Sequence, residues 1–208
     1  MPSSPHHDAS YTEWRHKVRD GLEPLQNSLV QLFQETRLFR VYSSTLMPGL
    51  LQTEGYAAAV LRIVADFEEL PVNDATEAAR ARVERSRVIH DPERRFVLLV
   101  EESVLYNQLG DTEVMISQLE YLLAAEALPS VSLEIIPMAT RERVQWPRET
   151  FHVYDERLVS VELVSAKVNI TQPSEISLNL KAFEQLHSMA VDGPEARALI
   201  LKAREQLR

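Results

Sequence analysis

"LMPGLLQTEGYA", Leu46 to Ala57, decides how this chain folds, because it stands where an extended-reading run gives way to a helix-reading one. It holds two of the five glycines, Gly49 and Gly55. Pro48 fixes its own φ and Gly49 accommodates positive φ, so the pair predicts a type II corner. Beyond it, Thr53 suits a helix N-cap, and Glu54 falls in the first turn, where the helix dipole favours an acid. Tyr56, Val60, Ile63, Val64 and Phe67 then recur at helical spacing as one apolar stripe. Before the corner, "LFRVYSS" alternates and is rich in aromatic and β-branched residues, as a strand is. The corner therefore turns strand into helix and aims the helix back onto a sheet. With positive φ at Gly49, Gly49→Val is expected to cost about 1 kcal/mol or more.

Outward from the corner, residues 1–10 hold Pro, Ser and His without apolar period and read as a disordered tail. Residues 11–24 read as a connecting helix, with Gly21 as a left-handed cap. "EPLQNSLVQLFQETR" places Leu25, Leu29, Leu32, Phe33 and Thr36 on one helical face. Residues 73–91 predict an arginine-bearing helix capped by Asn73 or Asp74, with Arg80 and Glu84 as an i,i+4 pair. "RRFVLLVEE" reads as a strand covered on both faces. "DTEVMISQLEYLLAAEAL" reads as a long helix ended by Pro129, and "SVSLEIIP" as another strand. Together these could form one β-α-β crossover with parallel strands. "TFHVYDERLVSVELV" predicts two strands around a short turn, extended by "SAKVNI", and two helices close the chain, the second opened by Pro194. The sum is an α+β fold: a small mixed sheet packed with helices, with helical N- and C-terminal extensions. Residues 25–208 read as a single domain.

The 208 residues are 45% hydrophobic and 25% charged, an ordinary globular balance. A net charge of −9 repels phosphate backbones, so direct nucleic-acid binding by the whole chain is not expected. There is no cysteine, which removes disulfides, thiolate metal sites and a cysteine nucleophile. No run approaches the roughly 18 apolar residues of a membrane span, and the start carries no signal peptide, so the expectation is a cytoplasmic protein without membrane contact.

None of the common phosphate, zinc, calcium or hydrolase motifs occurs, and no cofactor or metal is expected. His152 and Glu162 fall on adjacent predicted strands and could form a cross-strand acid–base couple, or simply a polar sheet face. Glu101, Glu102 and Tyr106 follow the end of "FVLLV", and Met138 and Trp146 follow the end of "LEIIP". If those strands are parallel neighbours, their carboxyl ends share the rim where α/β sheets bind ligands, and carboxylates beside thioether and aromatic surface suit a small cationic or apolar molecule. The alternative is that the acids cap a helix or face water. The arginines Arg80, Arg82, Arg85 and Arg87 could hold an anion or pair with Glu101 and Glu102; the plainer reading is a solvated face. Gln118, in an otherwise apolar helix, is either a buried, partnered polar group or the edge of a stripe.

"LMPGLLQTEGYAAAVL" resembles the PGLLQT-x-x-YA signature of an uncharacterised effector domain that follows an Xre-type helix-turn-helix in many Streptomyces regulators. Its carriers here are Pro48, Gly49, Gln52, Thr53 and Tyr56. "RVERSRVI", "FVLLVEESVL", "VMISQLEYLLAAEALPSVSLEIIP", "TFHVYD" and "LVSVELV" are similar to further segments of that family, in the same order. Ser86 and Arg87 stand where the family usually has Arg-Gln, and "LYNQLG" departs from its usual pattern. The resemblance implies a sensor, dimerisation or partner-binding module, with a small molecule, a small acidic protein or a second copy as partner, and carries no catalytic residues. A helix-turn-helix needs roughly 60 residues, about a minimal folded domain, and fewer than half that number precede Leu25. The expectation is a regulatory ligand- or partner-binding domain acting without its own DNA reader; the alternative is a family member recruited as an enzyme of specialised metabolism using carboxylate and histidine chemistry.

Overall fold

A computed structural model describes residues 9–207. In chain order these form β1 (Ala9–Glu13), α1 (Trp14–Lys17), α2 (Leu22–Asn27), α3 (Val30–Glu35), β2 (Leu38–Ser43), α4 (Glu54–Phe67), α5 (Ala75–Ser86), β3 (Arg95–Glu101), α6 (Thr112–Ala125), β4 (Val131–Ile136), β5 (Phe151–Tyr154), β6 (Leu158–Glu162), β7 (Ala166–Ile170), α7 (Pro173–His187) and α8 (Gly193–Glu205). The strands make one seven-stranded sheet in the order β1-β7-β6-β5-β2-β3-β4. β2, β3 and β4 are parallel, with α6 as the expected crossover between β3 and β4. β5, β6, β7 and β1 run antiparallel, and β5 joins the two halves by pairing with β2. The α+β reading holds. Among the described residues no helix is long and apolar enough to cross a membrane.

The sheet has two unlike faces. One bears Tyr42, Leu99, Phe151, Val153, Val159 and Val161, which pack on Ile176, Phe183 and Leu186 of α7. The other is apolar over its parallel half and as far as Tyr154 and Leu158 of the adjoining strands. There Phe39, Val41, Phe96, Leu98 and Ile135 pack beneath Phe33 of α3, Met115, Leu119 and Leu122 of α6, and Ile200 of α8. Beyond Tyr154 and Leu158, which join that apolar cluster, period-2 alternation puts His152, Ser160, Glu162, Lys167 and Asn169 of the antiparallel half on this same face.

The N-terminal region differs from expectation. Residues 1–8 of the tail lie outside the described residues, and Ala9 and Ser10 belong to β1. The connecting helix is reduced to the four residues of α1, because Tyr11–Glu13 pair with β7 instead. The Trp14 indole donates to the Leu163 carbonyl at 2.8 Å and fixes the exit from that strand. The next helix is two helices broken at Ser28–Leu29. Asp74 does not cap α5 with its side chain; it accepts from the backbone of Leu22 and Glu23 and caps α2. Arg80 pairs with Glu54 rather than Glu84, which takes Arg87.

The Pro48–Gly49 corner is not a type II turn. Pro48 has φ −51° and ψ 133°, and Gly49–Leu51 form one 3-10 turn closed by Leu51 N–H donating to the Pro48 carbonyl at 2.8 Å. Gly49 does not have positive φ. Hydrogen bonds hold the corner instead. Gln52 Nε2 donates to the Met47 carbonyl at 2.8 Å, and the Met47 N–H donates to the Tyr56 hydroxyl at 3.3 Å. Thr53 caps α4, accepting from the Tyr56 N–H. Gln118 of α6 is fully buried; its Oε1 accepts from the Thr53 N–H at 2.8 Å and its Nε2 donates to the Leu51 carbonyl at 2.6 Å.

A Cβ on Gly49 would meet nothing within 4 Å. Gly49→Ala is therefore expected to move stability by no more than about 0.5 kcal/mol. Gly21 has φ +108°, and its Cβ would lie 2.6 Å from the Asp74 carboxylate that caps α2. Gly21→Ala should cost about 1 kcal/mol or more, and urea unfolding of the two variants side by side reads the contrast.

The stripe expected along α4 is also rotated. Ile63 and Phe67 are exposed, and the buried side is Tyr56 to Leu61 with Ala65. Alanines decide this: Ala57, Ala58 and Ala65 face Ala75, Ala78 and Ala79 of α5, letting the two helices approach closely.

Candidate functional site

The rim expected to bind ligand does come together, but its carboxylates are occupied by the protein. Glu101 is 5% exposed, pairs with both terminal nitrogens of Arg143 at 2.5 and 3.1 Å, and accepts from the Tyr42 hydroxyl at 2.9 Å. Burial first, and then the Glu101 charge, push the Tyr42 phenol above its ordinary value, so it remains a donor. Glu102 is buried, accepting from the Met138 N–H at 2.7 Å and the Tyr106 hydroxyl at 3.4 Å. Met138 and Trp146 are exposed, and Trp146 lies under the Arg148 guanidinium, 4.3 Å from the ring centroid. The geometry anchors the irregular segment 137–150 to the sheet.

The other half of the sheet has unpaired chemistry. His152 faces Ser160 in register, and Glu162 faces Lys167, so His152 and Glu162 are diagonal neighbours on one face rather than a direct pair. Tyr154 lies beside His152, ring centroids 6.0 Å apart. Ser160 is hydrogen-bonded to Asn169 at 3.0 Å. Over this face stand Arg82 and Arg85 of α5. Arg82 donates to the side-chain oxygens of Gln26 at 3.0 Å and Gln52 at 2.7 Å. Arg85 donates to the Gln26 carbonyl at 2.8 Å and side chain at 3.1 Å, and covers the Phe33 ring. Of the four arginines expected on a solvated face, Arg80 and Arg87 are outside and these two turn inward.

Burial sets the electrostatics of this polar face. Burial pushes the His152 imidazole down to about 4, against the pull of Glu162. His152 is nevertheless half-buried, so water touches the ring while protein surrounds most of it. Burial lowers Lys167, again opposed by Glu162 and helped by Lys17 and Arg85. Arg85 is lowered to about 10 by burial and by Arg82, and stays charged at neutral pH. Lys167 is 7% exposed and Arg85 8% exposed. Among the described residues Arg85 Nε is buried without a hydrogen-bond partner. His152, neutral with so low a pKa, is a weak proton acceptor at neutral pH.

Sequence reasoning named His152, Glu162, Arg82 and Arg85 and missed Lys167, Ser160, Asn169 and Gln26. The missing signal was in the alternation: β6 and β7 are interior strands, yet Ser160 and Glu162 of β6 and Lys167 and Asn169 of β7 put polar side chains on one face. Two concavities are present, the first of them sharing Arg85. One of about 600 Å³ runs between α3 and α5 past Phe33, Ala81, Arg85 and Val88. One of about 400 Å³ holds Glu134, His187, Asp192 and Glu195, with His187 Nε2 2.8 Å from Glu134. Among the described residues no group of His, Asp and Glu could hold a metal ion.

Residues 26–202 match the family described as a domain of unknown function (DUF5753), and the chain belongs to that family. Among curated proteins none matches. Solved structures with a similar course include TrmBL2, an archaeal chromatin protein, at 9% identity and TM-score 0.43, covering 93% of this chain and 56% of that one. The chain thus spans little more than half the length of that protein. NucT from Helicobacter pylori is similar at 11% identity and TM-score 0.47, covering 89% of this chain and 98% of its own. Nuc from Salmonella typhimurium, a phospholipase D family member, is similar at 10% identity and TM-score 0.46, covering 89% and 97%.

Proposed function

We propose that the chain is a ligand-binding effector domain of the kind attached to actinobacterial Xre-type regulators, and that the cleft between α5 and the polar half of the sheet holds its small molecule. The observation that carries this reading is Arg85, a guanidinium in a residue 8% exposed whose partners are the uncharged oxygens of Gln26 and whose Nε has no hydrogen-bond partner among the described residues. Burying an unpaired charge costs several kcal/mol, a cost a protein retains where a bound group offsets it. A ligand seated there touches α5 and, through Arg82 and Gln52, the Met47–Tyr56 corner, so its arrival is felt in the α4–α5 layer.

Native mass spectrometry of the protein taken from its host lysate tests the reading. The expected result is a retained small molecule that is lost in Ser160→Leu and in Asn169→Leu, each of which fills the cleft with an apolar side chain, while circular dichroism shows both variants folded. A retained molecule that survives both substitutions, or only a bound polypeptide, overturns it.

A further inference from the structure

We infer that the molecule in this cleft carries an oxyanion, a carboxylate or a phosphoryl group, and that Lys167 with Arg82 and Arg85 binds it. This rests on the cleft being the ligand site. Three cations stand at this face, and among the described residues Glu162 is the carboxylate whose charge acts on them, in a chain whose net charge is −9. Lys17 adds a further positive charge near Lys167. The partners of the arginines are the decisive detail. Arg82 and Arg85 are held by amide and carbonyl oxygens of Gln26 and Gln52, which orient a guanidinium without cancelling its charge. A structural arginine is ordinarily paired with an acid, as Arg143 is with Glu101. A donor also remains: among the described residues Arg85 Nε is buried without a hydrogen-bond partner. A planar fork near a point charge suits an oxyanion, and its charge relieves the mutual repulsion of Arg85 and Lys167. His152, Ser160 and Asn169 line the same face and can take the hydroxyl or amide groups of the remainder.

The test uses the full chain with sodium phosphate, sodium succinate and, at equal ionic strength, sodium chloride. The expected result is a saturable rise in melting temperature with phosphate, succinate or both, and none with chloride; which anion acts tells a phosphoryl from a carboxylate ligand. Lys167→Met should abolish the shift, while its melting temperature without anion equals or exceeds that of the unsubstituted chain, because the desolvation of the ammonium has gone. A Lys167 that merely supports the fold gives the opposite sign. Should Lys167→Met not fold, the His152 ring signals of the unsubstituted chain decide: a bound oxyanion raises the pH at which His152 titrates, and no change overturns the inference. An equal response to chloride, or an undiminished shift in folded Lys167→Met, also overturns it. A retained neutral or cationic molecule that Ser160→Leu displaces would sink the oxyanion and leave the cleft reading intact.

Discussion

Gln118→Leu will destabilise the domain by about 2–4 kcal/mol although leucine nearly matches glutamine in volume. The side chain is fully buried and bridges α6 to the signature corner: its oxygen accepts from the Thr53 N–H and its nitrogen donates to the Leu51 carbonyl. Leucine leaves both backbone groups without partners, and each buried group so abandoned costs roughly 1–3 kcal/mol. Thr53→Ala should cost less, about 1 kcal/mol, by removing the α4 cap. The two losses should not add, since Thr53 and Gln118 share a hydrogen-bond network. Urea unfolding of the two single variants and the double variant measures this. A loss under 0.5 kcal/mol on Gln118→Leu would mean that the corner holds itself without α6.

That network explains what the signature residues are for, and why reading them singly gave the wrong turn. Pro-Gly is a good type II pair in isolation, but here Gln52, Tyr56 and Gln118 supply the hydrogen bonds that fix the corner, and these partners lie up to 67 residues away in sequence. Where a local pattern matched its final environment, the sequence was enough. The β3-α6-β4 crossover, the β5–β6 hairpin, β7 and the Thr53 cap all stand where periodicity placed them. Where a tertiary partner decides, it was not. Residues 11–13 became a strand because β7 offers them an edge, and α4 turned because the alanines of α5 allow a close approach. The candidate site divides in the same way. His152 and Glu162 showed themselves as polar residues on strands, but the inward turn of Arg82 and Arg85 depends on Gln26 and Gln52, which no local spacing ties to them. Glu101 and Glu102 read as free rim carboxylates because nothing near them in sequence foretells Arg143 or the Met138 N–H.

Arg143→Met should be the most costly change at that rim, about 3 kcal/mol. The segment 137–150 is long for a connection without helix or strand, and such segments stay ordered only when tied down. Arg143 ties it by pairing with Glu101, and Tyr42 ties it again, donating to Glu101 while its oxygen accepts from the Arg148 N–H at 3.2 Å. Removing Arg143 leaves the Glu101 carboxylate, 7% exposed at its side chain, with a phenol as its remaining partner. An abandoned buried charge costs 3–5 kcal/mol, and the 22% exposure of the Arg143 side chain puts the loss at the lower end. Adding Glu101→Gln to Arg143→Met removes the stranded charge and should recover part of the stability, so the double variant is more stable than Arg143→Met alone. Urea unfolding gives the free energies, and limited proteolysis within 137–150 shows whether the segment has come loose. If the double variant loses the full sum of the single losses, the two groups stabilise the rim independently, and the ion pair is not what holds the segment. Because Trp146 and Met138 sit on this segment, their exposure depends on that anchor, and a partner seeking them would meet an ordered surface only while Glu101 and Arg143 stay paired.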